Sequence, residues 1–192
     1  MSNVSSIPQN QNRSTSISSF IATNCKFNTF PFQICDLSNL VSVDLSFNKI
    51  KGVPDQILNC KNLKTMILTN NHIETISAKL FQINLEYLLV QNNNISFLPL
   101  IQKNETNIFI LKIFDLTNNN LSVIEEDVFS NINVERLFLS FNKIEVFPKL
   151  SPMIEQLIIS NNKLNNISHL ETISNYDQFT FLDVSHNQLE GI

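Results

Sequence analysis

The chain is short of glycine: only Gly52 and Gly191 occur in 192 residues. A phosphate-cradling loop needs several glycines where backbone must approach an anion, so nucleotide-binding loops of that kind are excluded. Tryptophan is absent and charged residues make up 16%, with a formal net charge of −4. No basic patch stands out, so nucleic acid is not an expected ligand. No run of 18 apolar residues occurs, so no membrane span is expected. Residues 1–19 are rich in serine, asparagine and glutamine and lack the apolar stretch of a secretory leader. They read as a disordered or poorly ordered tail. Cysteine is scarce too: Cys25, Cys35 and Cys60. An odd count without a leader points to free thiols and a cytoplasmic setting. The sequons at Asn94, Asn104, Asn120 and Asn166 are what an Asn- and Ser-rich chain produces by chance.

Catalytic constellations are missing as well. His72, His169 and His186 lack metal-ligand spacing with cysteines or carboxylates, so no metal site is expected. His72 and His186 each stand beside a repeat asparagine and read as solvent-facing. Asp44, Asp115 and Asp183 share one repeat position but never in adjacent repeats, which argues against paired acid–base carboxylates. No Ser/His/Asp or Cys/His arrangement emerges. The expectation is a chain that is not an enzyme and takes no cofactor.

What the chain does have is periodicity. Asn28, Asn48, Asn71, Asn93, Asn119, Asn142, Asn162 and Asn187 recur every 20 to 26 residues. Apolar residues stand eight, five and three places before each and two after. The best copies are Leu63, Met66, Leu68, Asn71, Ile73 and Leu111, Phe114, Leu116, Asn119, Leu121. The degenerate first copy reads Phe20, Thr23, Cys25, Asn28, Phe30, which puts Cys25 at a core strand position. A fixed long period marks a solenoid. Each apolar-x-apolar segment alternates as a strand with one buried face does. One turn cannot bury that face alone, and stacked turns build a parallel sheet over a continuous core. The asparagine amide offers two donors and an acceptor to backbone groups left unpaired in the bend, so burial of these asparagines is expected.

The pattern L-x-x-L-x-L-x-x-N-x-L resembles the leucine-rich repeat family over roughly residues 20–192. Phe30-Pro31 followed by Ile34 and Leu37, and Val53-Pro54 followed by Ile57, are similar to the intracellular Ras-scaffold type of repeat. Leu98-Pro99 and Phe147-Pro148 begin the same way, while Ile124 to Phe129 is similar to the longer typical type. The resemblance implies an α/β solenoid of about seven to eight repeats. Parallel strands would line a concave face, with short helical, 3₁₀ or extended segments on the convex side. It also implies a scaffold in phosphatase or small-GTPase signalling. Phe27, Phe47 and Phe141, just before repeat asparagines, read as structural packing; Phe81, Phe97, Phe129 and Phe147 read as convex-side core.

Strand residues between the core positions point into the concave face. The central column runs Asn24, Asp44, Ile67, Leu89, Asp115, Phe138, Ile158, Asp183. The preceding column runs Ala22, Ser42, Thr65, Tyr87, Ile113, Arg136, Gln156, Phe181. Ile67, Tyr87, Leu89, Ile113, Phe138, Ile158 and Phe181 form an apolar band, and exposed apolar patches usually mark interaction sites. Asp44, Asp115 and Arg136 flank it. The expected function is a non-catalytic module binding a protein partner through this face. Two alternatives stand beside it: a regulatory fragment of a larger leucine-rich repeat enzyme such as a phosphatase or cyclase, and a protein that self-associates through the band. The last copy stops at residues 189–192 in mid-repeat, so continuation into another domain, or an open edge that pairs with a second protomer, is also expected.

Overall fold

The computed structural model describes residues 16–101, 110–173 and 177–190. Most of the proposed tail, His169's side chain, the Asn104 sequon and the final Gly191-Ile192 fall outside the described residues. Among the described residues eight strands form one parallel sheet in chain order: β1 (Ser19–Ile21), β2 (Ser42–Asp44), β3 (Thr65–Ile67), β4 (Tyr87–Leu89), β5 (Ile110–Asp115), β6 (Asn133–Phe138), β7 (Gln156–Ile158) and β8 (Phe181–Asp183). Pairing is in register throughout, with Val43, Met66, Leu88, Phe114, Leu137 and Leu157 side by side beneath the sheet. All six are fully buried, as is the next strand position down, Leu45 to Ile159. The alternation seen in the sequence is thus the alternation between core and open face.

Links behind the sheet close the core. Phe32–Asp36, Asp55–Asn59, Ala78–Gln82 and Ser168–Thr172 are short 3₁₀ segments. The first two follow Pro31 and Pro54, whose fixed φ suits entry into a helical turn. Ile34, Cys35, Ile57 and Leu80 are among the side chains they bury. Phe129 and Phe147 fill the convex side as expected and Phe81 packs partly buried against it. Phe97 instead is 54% exposed, because its neighbour Leu98 takes the inward position.

The scarcity of glycine is met by asparagine. Each turn leaves its strand through a residue with positive φ immediately before the ladder position: Asn24, Phe47, Asn70, Asn92, Asn118, Phe141, Asn161 and His186, at φ 54–58°. After glycine, asparagine tolerates this region best, and five of the eight are asparagine. Phe47 and Phe141 are therefore not packing residues; both side chains are exposed.

The same backbone signature corrects the first repeat. Phe20 pairs with Val43 and Ile21 with Asp44, so the first turn reads Ile17, Phe20, Ala22, Cys25, Phe27. Cys25, not Asn28, occupies the ladder position; it is exposed rather than in the core, and Asn28 lies outside the ladder, exposed. Ser19, assigned by the sequence to the tail, belongs to β1. Phe27 is half-buried at the position that Ile50 and Ile73 take in later turns, with Lys49 N–H bonded to its carbonyl (2.7 Å). The 23-residue spacing from Cys25 to Asn48 was the available clue; the identity of Asn28 outweighed it.

The thiol expectation is also corrected. Cys35 lies in the first convex 3₁₀ segment and Cys60 directly follows the second; their Cα atoms are 4.4 Å apart and they form a disulfide. Stacking lays successive links side by side, so two cysteines 25 residues apart, two places off the 23-residue offset of these turns, meet. Thiol titration of the native protein is expected to find one reactive group, Cys25, and three after denaturing reduction. Closing a loop of 25 residues is worth about 3 kcal/mol in the chain-entropy picture, and reduction should lower the thermal midpoint accordingly.

Candidate protein-binding face

The ladder asparagines hold the strands at the spacing the open face needs. Asn71 Oδ1 accepts from Ile50 N–H (3.0 Å), while its amide donates to the carbonyls of Leu45 and Leu68 (both 3.0 Å). Asn48, Asn93, Asn119, Asn142, Asn162 and Asn187 repeat this pattern, each serving its own turn and the one before. Five of the seven are buried; Asn142 and Asn187 are half-buried. Cys25 in the first turn has no described turn before it to serve, which explains why the ladder tolerates a cysteine there.

On the open side, register alignment turns the repeat positions into true columns. The central one runs Ile21, Asp44, Ile67, Leu89, Asp115, Phe138, Ile158, Asp183. Its neighbour runs Ser19, Ser42, Thr65, Tyr87, Ile113, Arg136, Gln156, Phe181. Both therefore begin at Ile21 and Ser19, not at Asn24 and Ala22. Ile67, Leu89, Tyr87, Ile113, Phe138 and Ile158 are each half-buried by their neighbours on the sheet, and Phe181 on β8 is 49% exposed. The seven lie on adjacent strands from β3 to β8, so the sheet brings them together as one band. Ile21, 70% exposed at the other end of the central column, extends the apolar surface past Asp44.

The aspartates are held rather than free. Asp44 Oδ1 accepts from the N–H (2.9 Å) and hydroxyl (2.6 Å) of Ser46. Asp115 accepts from Thr117 N–H and Asp183 from Ser185 N–H, each at 2.9 Å. The Ser185 hydroxyl and N–H keep the Asp183 carboxyl below its ordinary range, with a smaller contribution from the Ser160 hydroxyl. Among the described residues no cationic nitrogen lies within 4.0 Å of any of the three.

Along one side of the band runs a charged row that sequence reasoning passed over. Glu86 takes Lys112 at 2.7 Å and Lys64 at 3.3 Å from the turns on either side. The Lys112 bond, then that of Lys64, holds the Glu86 carboxyl below its usual value, and Lys112 is raised in turn. The Lys112 ammonium also stands 5.9 Å from the Tyr87 ring centroid, within cation–π range. All three charges sit seven places before a ladder asparagine, so reading that offset down the repeats would have found them. His72 and His186 are exposed as expected. Among the described residues no three His, Cys, Asp or Glu side chains converge, and no helix is long and apolar enough to cross a membrane.

Comparison with known proteins settles the family. A family model described as leucine rich repeat matches residues 38–95. The chain superposes on a leucine-rich repeat protein of Leptospira interrogans with a TM-score of 0.72, at 25% identity, over 87% of this chain and 42% of that one. This is a leucine-rich repeat protein. A plant ice-binding protein gives a TM-score of 0.68 at 25% identity, over 90% of this leucine-rich repeat chain and 58% of the other. Among curated relatives, fibromodulin of Gallus gallus is 24% identical over 159 residues, 80% of this chain. Human oligodendrocyte-myelin glycoprotein is 30% identical over 165 residues, 79% of this chain. Adenylate cyclase of Schizosaccharomyces pombe is 25% identical over an alignment spanning 99% of this chain. The chain spans 36% of each of the first two and 14% of the cyclase. Leucine-rich repeat folds generally mediate protein–protein interaction and are typically non-catalytic.

Proposed function

We propose that this leucine-rich repeat chain is a non-catalytic scaffold that binds a protein partner through its concave sheet. The observation that carries the reading is the apolar band of Ile67, Tyr87, Leu89, Ile113, Phe138, Ile158 and Phe181, aligned across adjacent strands on the face away from the core. A continuous apolar patch is what a recognition surface supplies and what a solvent-adapted sheet avoids. Tyr87 and Arg136 add the side-chain types that most often dominate binding energy. Partners in phosphatase or small-GTPase signalling are the class we favour, in the cytoplasm. The Cys35–Cys60 bond removes the free-thiol argument for that compartment, and thiol counting on protein drawn from native cells decides it.

The test is affinity capture from native extract with the wild type and a Leu89→Asp, Phe138→Asp double variant. A partner should be lost in the variant while the thermal midpoint moves by only a few degrees, because both side chains lie on the open face. A collapse in stability, or identical recovery by both baits, would sink the proposal. A second reading has its own support: the similarity to adenylate cyclase runs along 99% of the chain, which favours a regulatory segment of a larger enzyme. The full coding sequence of the transcript tests that directly. Self-association through the same band is tested by mass measurement over a hundredfold concentration range.

A further inference from the structure

The central column has a period of its own. From β2 to β8 it reads Asp, Ile, Leu, Asp, Phe, Ile, Asp, so a carboxylate recurs every third strand with two apolar side chains between. Parallel strands stand about 4.8 Å apart, which puts Asp115 roughly 14 Å from Asp44 on one side and from Asp183 on the other along the face. Each carboxylate is oriented through Oδ1 by the residue two places on, and none has a cation within 4.0 Å among the described residues. The neighbouring glutamate behaves differently: Glu86 is held between two lysines. The acid at the edge of the band is therefore paired, whereas the centre-line carboxylates carry no ion pair among the described residues.

We propose that the concave face takes an extended peptide segment in which basic and apolar residues alternate along one face. This rests on the concave-face reading above and names the chemistry of its partner. An extended chain advances about 3.3 Å per residue, so residues four apart stand about 13 Å apart and point the same way. A segment with basic residues at its first, fifth and ninth places and apolar residues at the third and seventh sets each cation over an aspartate. The apolar side chains then rest on Ile67 and Leu89, and on Phe138 and Ile158. An α-helix fits worse, because ten residues are needed to cover the same distance and the tenth points to another side. Arg136 is the one cation in the two central columns and disfavours a second basic row beside the first.

The probe is a fluorescein-labelled nonapeptide with lysine at places one, five and nine, leucine at three and seven, and serine elsewhere, titrated by anisotropy against the full chain. Binding at 50 mM salt should weaken about tenfold by 300 mM, as charge pairs near a surface are screened. The Asp44→Asn, Asp115→Asn, Asp183→Asn variant should also bind about tenfold more weakly, since charge-assisted bonds are the strong ones. Asparagine keeps the Oδ1 acceptor, so the local turns survive. The inference is overturned if the triple variant binds the lysine peptide as tightly as wild type, if a glutamate version binds equally well, or if neither peptide binds. The same triple variant used as bait in extract separates the two claims. A native partner lost with Leu89→Asp, Phe138→Asp yet retained by the aspartate variant leaves the concave face standing and removes the basic partner.

Discussion

Asn71→Ala is expected to cost roughly 1–3 kcal/mol, because it leaves a buried backbone N–H without an acceptor. Ile50 N–H loses its acceptor at 3.0 Å, while the Leu45 carbonyl loses one donor at 3.0 Å and keeps the Asn48 amide at 2.9 Å; both lie in the turn before and both residues are wholly buried. Water cannot reach them without opening the stack. Against a total stability of about 5–15 kcal/mol for a domain, the loss is large enough to see as a marked drop in denaturant midpoint. Cys25→Ala provides the comparison. It stands at the same ladder position, but exposed and with no described turn before it, so its cost should stay within about 0.5 kcal/mol. Equal effects at the two positions would mean that the ladder works through local turn geometry rather than by bonding one repeat to the next.

That contrast also explains what was legible in the sequence. From the second turn onward the strands, the core columns and the asparagine ladder follow from spacing, because each ladder asparagine must meet the same backbone groups in every turn. The first turn misled because its ladder residue is a cysteine and Asn28 stands nearby. The conformational signal at Asn24 is carried by φ, which a residue name does not reveal. The Cys35–Cys60 contact depends on two links stacking, a relation between turns rather than within one. Phe47 and Phe97 show the limit for aromatics: size and apolarity suggested burial, but their places in the turn point them outward. The open face was legible as columns because period-two alternation and register are both set by the repeat. The Lys64–Glu86–Lys112 row was equally available at one offset, but charges at a strand's start read as solvent-facing until their neighbours in adjacent turns are known.

Phe114→Ala should be among the most damaging single substitutions in the chain, at about 3–5 kcal/mol. Its ring is fully buried in β5, tilted against Phe81 with centroids 5.8 Å apart and edge-on to Phe129 at 6.4 Å. Such pairs add about 0.5–1.5 kcal/mol beyond burial. The site is specific to this part of the solenoid. The turn from Asn93 to Asn119 is the longest, and a phenylalanine takes the column position where flanking turns have Leu88 and Leu137. Two further aromatics from the links close around it, so truncation leaves a void that the two remaining rigid rings cannot refill. Phe138→Ala removes the same side chain from the next strand, one residue on from Phe114's partner Leu137, but on the open face. There the loss should stay below about 1 kcal/mol, because the ring packs only against neighbours on the sheet. Denaturant melts of the two variants therefore measure which side of the sheet is core. If Phe138→Ala proved as costly as Phe114→Ala, the concave band would already be covered in the isolated protein. Self-association through that face would then replace recognition of a separate partner.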